Sequence, residues 1–181
     1  MGDEESLNIE RFQNEIYFYE DVTPQSILEL NKMVRMMERE HSGLPIILYI
    51  HSNGGDLFAG LSAMDHLKSC KRPVYTVADG FCCSAATFIF LGGSKRFVKK
   101  HSHVLIHQIS SDSDWVKFED IKDEVRNLEK LTEKVVGIYR EFTNLPEKKL
   151  KRLMRHDVYL DSEECVKYDI AHEYFSRDTV F

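Results

Sequence analysis

Apolar residues along this chain alternate between strand-like runs and a helix-like period, and the alternation repeats several times. Residues 16–19 form a short apolar run that predicts a strand. Thr23 and Pro24 then supply a helix N-cap and a first-turn proline, and the predicted helix continues to Ser42 and Gly43. Its apolar positions recur every three or four residues: Ile27, Leu30, Val34 and Met37. The chain is therefore expected to open with a strand and an amphipathic helix.

The same rhythm continues further along the chain. Residues 45–50 are almost all apolar, which is typical of a strand buried on both faces of a parallel sheet. A helix is expected next, with an inward face of Leu57, Leu61, Met64 and Leu67. Residues 73–77 predict another buried strand that Asp79 and Gly80 end, residues 84–91 a small apolar helix, and residues 104–106 a further strand. Strands alternating with helices predict an α/β layered fold, in one domain over residues 1–181 with a loose segment at residues 1–9.

One long helix is predicted over residues 117–143. Its apolar positions alternate spacings of three and four: Phe118, Ile121, Val125, Leu128, Thr132, Val135, Tyr139 and Phe142. Core packing within one chain explains part of this stripe, and its length with Glu and Lys beside it also indicates subunit association. After a break at residues 144–146, helices are expected over residues 147–154 and 163–168 and a strand over residues 170–175.

Composition narrows the classes of function. The chain has 181 residues, 30% of them charged, and a net charge of −6, so a nucleic-acid footprint is not expected. No apolar stretch approaches the ~18 residues of a membrane span, and the acidic N-terminus is unlike a secretory signal. The cysteines lack the spacing of a zinc site, and two of them are adjacent, which predicts reduced thiols in the cytoplasm. They are Cys70, Cys82, Cys83 and Cys165.

Candidate chemistry gathers where the predicted parallel strands end. The carboxyl ends of such strands share one edge of a sheet, so Gly54, Gly55, Ser84 and His107 are expected to lie together. Ser84 follows a predicted strand at a helix start, where unpaired N–H groups favour negative charge. A serine there is more often a plain helix cap, and a Gly-Gly pair is more often a plain turn. The residues gain significance only in combination.

Four segments in matching order and spacing supply that combination. They are ILYIHSNGGDLFAGLSAMDHL, GFCCSAATF, VLIHQ and RHDVYLDSEECVKYDI. With them the chain resembles the ClpP family of serine peptidases, and the resemblance covers residues 16–174. It implies a ClpP/crotonase-like layered fold in which residues 117–143 form a protruding handle helix.

The resemblance also implies a serine endopeptidase that uses neither a metal nor a cofactor. By position in the matching segments, Ser84 would be the nucleophile and His107 the general base and later acid. Asp157 would hold the imidazole in the required tautomer and stabilise the imidazolium that forms.

Backbone groups would complete the implied site. The N–H groups of Gly55 and Ala85 would hold the oxyanion, and Gly54 would shape the loop. Relatives bind an extended peptide by strand addition along the segment after the histidine. Here that segment is Gln108, Ile109 and Ser110.

An oligomer is implied as well. ClpP-like subunits form heptameric rings that stack through the handle helix into a tetradecamer, a chamber for peptides and unfolded proteins. About a dozen residues precede the strand at residue 16, fewer than the family uses for an axial segment that contacts an ATP-driven unfoldase. The sequence leaves that partner open, and neither nucleic acid nor a membrane is expected as a partner.

Departures from the family pattern keep other functions open. Asn53 stands where the family usually has proline, and Ala85 and Ala86 replace the usual methionine and glycine. A ring-forming subunit with weak or lost catalysis would tolerate these changes. A crotonase-type acyl-CoA enzyme is a further alternative, since that superfamily shares the sheet and holds an enolate oxygen with backbone N–H groups.

Three nearby side chains offer competing roles at the site. Cys83, next to Ser84, is an alternative nucleophile, but it is expected to pack inward as a small hydrophobe. Asp112 and Asp114 are alternative orienting groups for the histidine, but they lie in the polar segment SSDSDW. The triad of Ser84, His107 and Asp157 is therefore preferred.

Overall fold

A sheet of eight strands organises the described part of the chain, residues 7–40, 43–110 and 117–180 of a computed structural model. The strands are β1 Ile9–Phe12, β2 Glu15–Phe18, β3 Ile46–Ser52, β4 Val74–Cys83, β5 Lys95–Val98, β6 His103–Leu105, β7 Tyr159–Leu160 and β8 Glu173–Tyr174. The helices are α1 Pro24–Glu38, α2 Leu57–Ser69, α3 Ala86–Leu91, α4 Phe118–Phe142, α5 Glu147–Leu153, α6 Ser162–Lys167 and α7 Arg177–Val180.

Parallel pairing dominates the centre of the sheet. The strand order is β1-β2-β3-β4-β5-β8, in which β1 is antiparallel to β2 and every later pair is parallel. The end of β4 also pairs in parallel with β6, and β6 pairs antiparallel with β7. Because parallel strands end at the same edge, the residues after β3, β4 and β6 come to one side of the molecule. This arrangement confirms the predicted α/β layered fold.

The apolar run of β3 is buried on both faces of the sheet. Ile46, Leu48 and Ile50 belong to the main core, which also contains the inward faces of α1, α2 and α3. Ile47 and Tyr49 belong to a smaller cluster on the other face. A strand covered on both sides needs no polar alternation, which accounts for its composition.

The prediction that Asp79 and Gly80 end a strand is wrong. Strand β4 continues through both residues to Cys83, and Gly80 adopts a φ of +84°, which glycine tolerates without a steric penalty. The register with β3 shifts beside this point, so the two turn-forming residues produce a β-bulge. Because β4 extends to Cys83, Ser84 follows directly after the end of this strand.

Several element boundaries also differ from those predicted. Ile9 begins β1 and is buried, so the loose N-terminal segment does not include it. The hydrophobic pattern misses β1 and β5 because two of the four residues in each strand are charged. Residues 170–172 form a bend, and the predicted last strand shortens to β8. Helix α3 begins at Ala86, two residues later than predicted.

Helix α1 is shorter than its apolar pattern predicts. It ends at Glu38, and the predicted end at Ser42 lies outside the described residues. The buried Arg72 side chain donates to the backbone oxygens of Met37 at 2.7 Å and Leu44 at 2.7 Å. These bonds satisfy a carbonyl of the last helical turn and fix the path of the chain into β3.

The apolar stripe of α4 has a buried part and an exposed part. The predicted bounds, Lys117 and Thr143, are the cap residues of this helix. Val135 and Tyr139 near its C-terminal end are buried in the core. Toward its N-terminal end the apolar side chains are exposed by 70%, 46% and 50%: Phe118, Ile121 and Val125. Core packing therefore explains only one end of the stripe.

Arg96 on β5 anchors the end of α4 to the sheet. Its buried guanidinium donates to the backbone oxygens of Phe142 at 3.0 Å, Asp169 at 2.8 Å and Ile170 at 2.8 Å. The first acceptor is a C-terminal carbonyl of α4, which has no partner within its own helix. The C-terminal end of this helix is thus fixed to β5 and to the turn after α6.

Candidate active site

Ser84 occupies a strained turn between β4 and α3. Its φ is +53°, a conformation that costs a residue other than glycine about 1–3 kcal/mol and persists where surrounding contacts enforce it. Its N–H donates to the oxygen of Leu105 at 2.8 Å, and its C=O accepts from the N–H of Thr87 at 3.0 Å. Helix α3 begins at Ala86 and its N-cap residue is Ala85. Ser84 is therefore not the plain helix cap that the sequence also allowed, and its hydroxyl is not used in a capping hydrogen bond.

The glycine pair after β3 packs against this turn. Gly54 has a φ of +96° and Gly55 a φ of +143°. A Cβ at Gly54 would lie 2.6 Å from the oxygen of Cys83 and 2.7 Å from the Cβ of Ser84, so only glycine permits this approach. The C=O of Gly54 accepts from the N–H of Val22 at 2.8 Å, which ties the loop to the segment before α1.

Two backbone N–H groups at this junction have no protein acceptor within the described residues. They belong to Gly55 and Ala85, the pair expected to hold an oxyanion. Both residues line the same cleft as Ser84, so their N–H groups are available to an oxygen bound there.

His107 follows β6 and lies between the cleft and Asp157. Its Nδ1 is 3.7 Å from the Oδ1 of Asp157, longer than the ~2.7–3.2 Å of a hydrogen bond. The side chain of Asp157 is 75% exposed and that of His107 is 25% exposed. Across the described residues, the Ser84 hydroxyl makes no hydrogen bond to the His107 ring. Ser84 and His107 therefore line one cleft, and Asp157 lies near His107 at more than hydrogen-bond distance.

The cleft beside Ser84 has a volume of about 300 Å³. Its polar lining includes Gly55, Ala85 and His107, together with the acidic residues Asp56 and Glu124. Its apolar wall comes from α3 and α4: Phe88, Leu128, Leu131, Val135 and Tyr139. The segment predicted to pair with a peptide lines its rim: Gln108, Ile109 and Ser110. The alternative orienting residues, Asp112 and Asp114, lie outside the described residues.

Cys83 is placed inward, as the sequence predicts. Its side chain is 3% exposed, and burial raises the pKa of its thiol to about 11. At neutral pH the thiol is protonated, and a protonated thiol is a poor nucleophile. This favours Ser84 over its neighbour as the reactive group.

Three further residues shape the site without standing out in the sequence. Gly60 of α2 approaches the nucleophile segment so closely that a Cβ there would lie 2.6 Å from the oxygen of Ala85. Thr87 and Tyr139 are buried and hydrogen-bonded to each other beside Ser84. Of these three, only Thr87 could have been noticed in the sequence, because it is a hydroxyl residue inside the otherwise apolar run ATFIFL.

Two other kinds of site find no support in the part of the chain that the structure describes. No group of three or more His, Cys, Asp or Glu side chains there could hold a metal ion. No helix there is long and apolar enough to cross a bilayer. All four cysteines are free thiols, and Cys70 is the one that is partly exposed.

Comparison with known proteins identifies the relatives of this chain. The family model described as Clp protease matches residues 5–177. The chain belongs to the Clp protease family. Membership in this family confirms the resemblance expected from the four segments and the class of serine-type peptidase.

Individual relatives of the Clp protease family match over most of the chain. An ATP-dependent Clp protease proteolytic subunit 2 of Treponema denticola is 33% identical over 173 residues, 93% of this chain and 86% of that protein. An ATP-dependent Clp protease proteolytic subunit of Deinococcus radiodurans is 30% identical over 140 residues, 76% of this chain and 68% of that protein. A ClpP1 variant structure from Listeria monocytogenes superposes with a TM-score of 0.82 at 24% identity. That superposition covers 93% of this chain and 95% of the other, and it confirms the fold.

Proposed function

We propose that this chain is a Clp-type proteolytic subunit that cleaves peptide bonds with Ser84 as nucleophile, His107 as general base and Asp157 as the orienting carboxylate. The observation that carries the proposal is the shared cleft: Ser84 and His107 line it together with the backbone of Gly55 and Ala85. Asp157 lies on the other side of the imidazole, near Nδ1. Metal-assisted hydrolysis has no candidate ligand group among the described residues.

The reaction follows from these positions. As Ser84 Oγ attacks the scissile carbonyl carbon, His107 Nε2 takes its proton, because Nδ1 faces Asp157. The carbonyl oxygen becomes an oxyanion and accepts hydrogen bonds from the N–H groups of Gly55 and Ala85. His107 then protonates the leaving amine, the C–N bond breaks, and an acyl-enzyme on Ser84 remains. Water, deprotonated by His107, attacks this ester and releases the second product.

The distances in the free site leave room for a tightening step. The contact of 3.7 Å between His107 and Asp157 must shorten to become a hydrogen bond, and Asp157 is exposed enough to move. Catalytic hydrogen bonds commonly tighten only in the substrate complex, so this geometry is compatible with activity. The same looseness is what a ring subunit with reduced catalysis would have, and it makes that alternative the one to test.

We propose that substrates bind as extended chains along the rim of the cleft. Gln108, Ile109 and Ser110 follow β6 and pair with no strand among the described residues, so a peptide can add to this edge. Apart from Glu124, the wall from α3 and α4 is apolar, which favours an apolar substrate side chain next to the scissile bond. Peptides and unfolded segments meet both conditions, since each offers an extended backbone.

We propose that the subunits assemble through α4 into stacked heptameric rings. The exposed apolar residues at its N-terminal end would be buried by a second copy: Phe118, Ile121 and Val125. Such an assembly would enclose the clefts and restrict entry to unfolded chains, which is the condition under which an ATP-driven unfoldase becomes a partner. The four free thiols fit a reducing compartment such as the cytoplasm.

Labelling with a fluorophosphonate tests the proposed nucleophile. The wild-type chain should be modified at Ser84, and Ser84→Ala should not be modified. His107→Ala should lose both labelling and peptide hydrolysis while it elutes with the wild type in size-exclusion chromatography. An unlabelled wild type that still assembles would favour the ring subunit with lost catalysis, and wild-type hydrolysis by His107→Ala would show that another group is the base.

A further inference from the structure

A chain of two buried hydroxyls connects α4 to the backbone of Ser84. The Oγ1 of Thr87 lies 2.6 Å from the C=O oxygen of Ser84 and 2.6 Å from the phenolic oxygen of Tyr139. Thr87 is 1% exposed and Tyr139 is 3% exposed. The single hydroxyl proton of Thr87 is donated to the carbonyl, so Tyr139 must donate to Thr87. Burial raises the pKa of Tyr139, which keeps its phenol protonated for this purpose.

The carbonyl at the end of this chain belongs to a peptide group with a second role. The C=O of Ser84 and the N–H of Ala85 are two ends of one planar unit, and they point in opposite directions. A donor that holds the carbonyl toward α3 therefore turns the N–H of Ala85 toward the cleft. Thr87 supplies two donors to this oxygen, its hydroxyl and its N–H at 3.0 Å. Hydrogen bonds in series also polarise one another, which makes the Ala85 N–H a stronger donor.

The conformation of Ser84 makes such support necessary. A serine at a φ of +53° is held by its neighbours, because the isolated residue prefers other conformations. On its amino side the bond to Leu105 fixes the strand, and on its carbonyl side Thr87 fixes the peptide plane. Without the hydroxyl of Thr87, the plane keeps only the N–H bond and gains freedom to rotate.

We propose that Thr87 and Tyr139 are positioning residues that orient the Ser84–Ala85 peptide group and so aim the oxyanion donor of Ala85. This inference rests on the proposed function of Ser84, since it concerns the same catalytic site. It also makes the C-terminal part of α4 a support of the oxyanion site, in addition to a wall of the cleft.

Four variants test the inference in the assembled protein. Thr87→Val removes the hydroxyl at nearly constant volume, Thr87→Ser retains it, and Tyr139→Phe removes only the phenolic oxygen. The matched control is Thr76→Val, because the buried Thr76 hydroxyl donates to the C=O of Phe90 at 2.7 Å, at the far end of the same helix α3. Peptide hydrolysis is measured for kcat and KM separately, with thermal unfolding recorded for each variant.

The oxyanion forms only in the transition state, so the loss should appear in kcat. We expect Thr87→Val to lower kcat about tenfold, the equivalent of one buried hydrogen bond, with KM within about twofold of the wild type. Thr87→Ser should restore most of this kcat. Tyr139→Phe should lower kcat by a smaller factor, and Thr76→Val should destabilise the chain without changing kcat.

A double variant separates positioning from stability. Thr87→Val together with Tyr139→Phe leaves no buried hydroxyl unpaired, so it should unfold at a higher temperature than Thr87→Val alone. Its kcat should nevertheless stay low. Recovery of kcat together with stability would overturn the inference, as would a wild-type kcat for Thr87→Val or an equal loss in Thr87→Ser.

Different results would contradict the proposed nucleophile, Ser84, and the proposed positioning role of Thr87 and Tyr139. A wild type that does not react with fluorophosphonate at Ser84 would remove the proposed nucleophile itself. A wild type that reacts normally, with Thr87→Val reacting equally fast and hydrolysing with the same kcat, would leave the nucleophile in place and reject the positioning role alone.

Discussion

Replacing three glycines by alanine, one at a time, tests whether close backbone approach holds the Ser84 segment. The three sites differ in what an added Cβ would meet. Gly137, inside α4, has nothing within 4 Å. Gly60, inside α2, would place a Cβ 2.6 Å from the oxygen of Ala85. Gly54 would place one 2.6 Å from the oxygen of Cys83, and it also has a φ of +96°.

These contacts give an order of stability. Gly137→Ala should gain about 0.5–1 kcal/mol, because alanine is the better helix former. Gly60→Ala has the same gain in helix propensity. Its added Cβ, however, overpacks against backbone that cannot move aside, which costs about 1–3 kcal/mol of stability. Gly54→Ala has no helical gain, and overpacking adds to about 1–3 kcal/mol of backbone strain. For a chain of this length, each kcal/mol shifts the melting temperature by roughly 2–4 °C.

Thermal unfolding followed by circular dichroism measures this order. Gly60→Ala should melt roughly 2–12 °C below Gly137→Ala, and Gly54→Ala should melt lowest. Because assembly changes apparent stability, each variant is compared at one protein concentration after its particle size is checked. A Cβ at Gly60 would displace Ala85, so we expect labelling of Ser84 to slow by at least about tenfold. Equal melting of Gly60→Ala and Gly137→Ala, with normal labelling, would refute the close approach.

Three further predictions concern α4 and the thiols. Ile121→Asp combined with Val125→Asp should give a smaller particle in size-exclusion chromatography, whereas the control Asn127→Asp on the same helix should not. Unchanged elution of the double variant would mean that the exposed apolar surface of α4 is not an interface. Iodoacetamide at pH 8 should alkylate Cys70 before Cys83, because a pKa of about 11 leaves about one Cys83 thiol in a thousand ionised. Cys83→Ala should retain fluorophosphonate labelling, and its loss would revive the thiol as nucleophile.

Hydrophobic periodicity predicted the elements whose apolar pattern extends over many consecutive residues. The apolar run of β3 and the three-and-four stripe of α4 each depend on many residues, so a single exception does not hide the pattern. The expected gathering of Ser84 and His107 with the glycine loop follows from parallel strands alone. Their common cleft is consistent with that reasoning, because β3, β4 and β6 are neighbours in the sheet.

Features that depend on distant contacts were beyond the sequence pattern. Asp79 and Gly80 are ordinary turn residues by composition, and only the pairing of β4 with β3 and β6 turns them into a bulge within a strand. Likewise β1 carries two charged residues among its four and shows no apolar pattern, yet pairing with β2 holds it in the sheet and Ile9 is buried. The resemblance to the family implied that Asp157 lies beside His107 without giving their separation, which depends on how the chain after α5 meets the end of β6.

The strained serine shows why a site can be located from sequence before its geometry can be derived. Its left-handed conformation is unfavourable locally, so local preference argues against it, and five separate parts of the fold enforce it. Strand β6 holds its N–H through Leu105, and Gly54 and Gly60 let the loop after β3 and helix α2 close against it. The hydroxyls of α3 and α4 hold its carbonyl. The candidate catalytic residue types therefore stand out in the sequence, whereas the glycines and hydroxyls that surround them are recognisable only once these elements pack together.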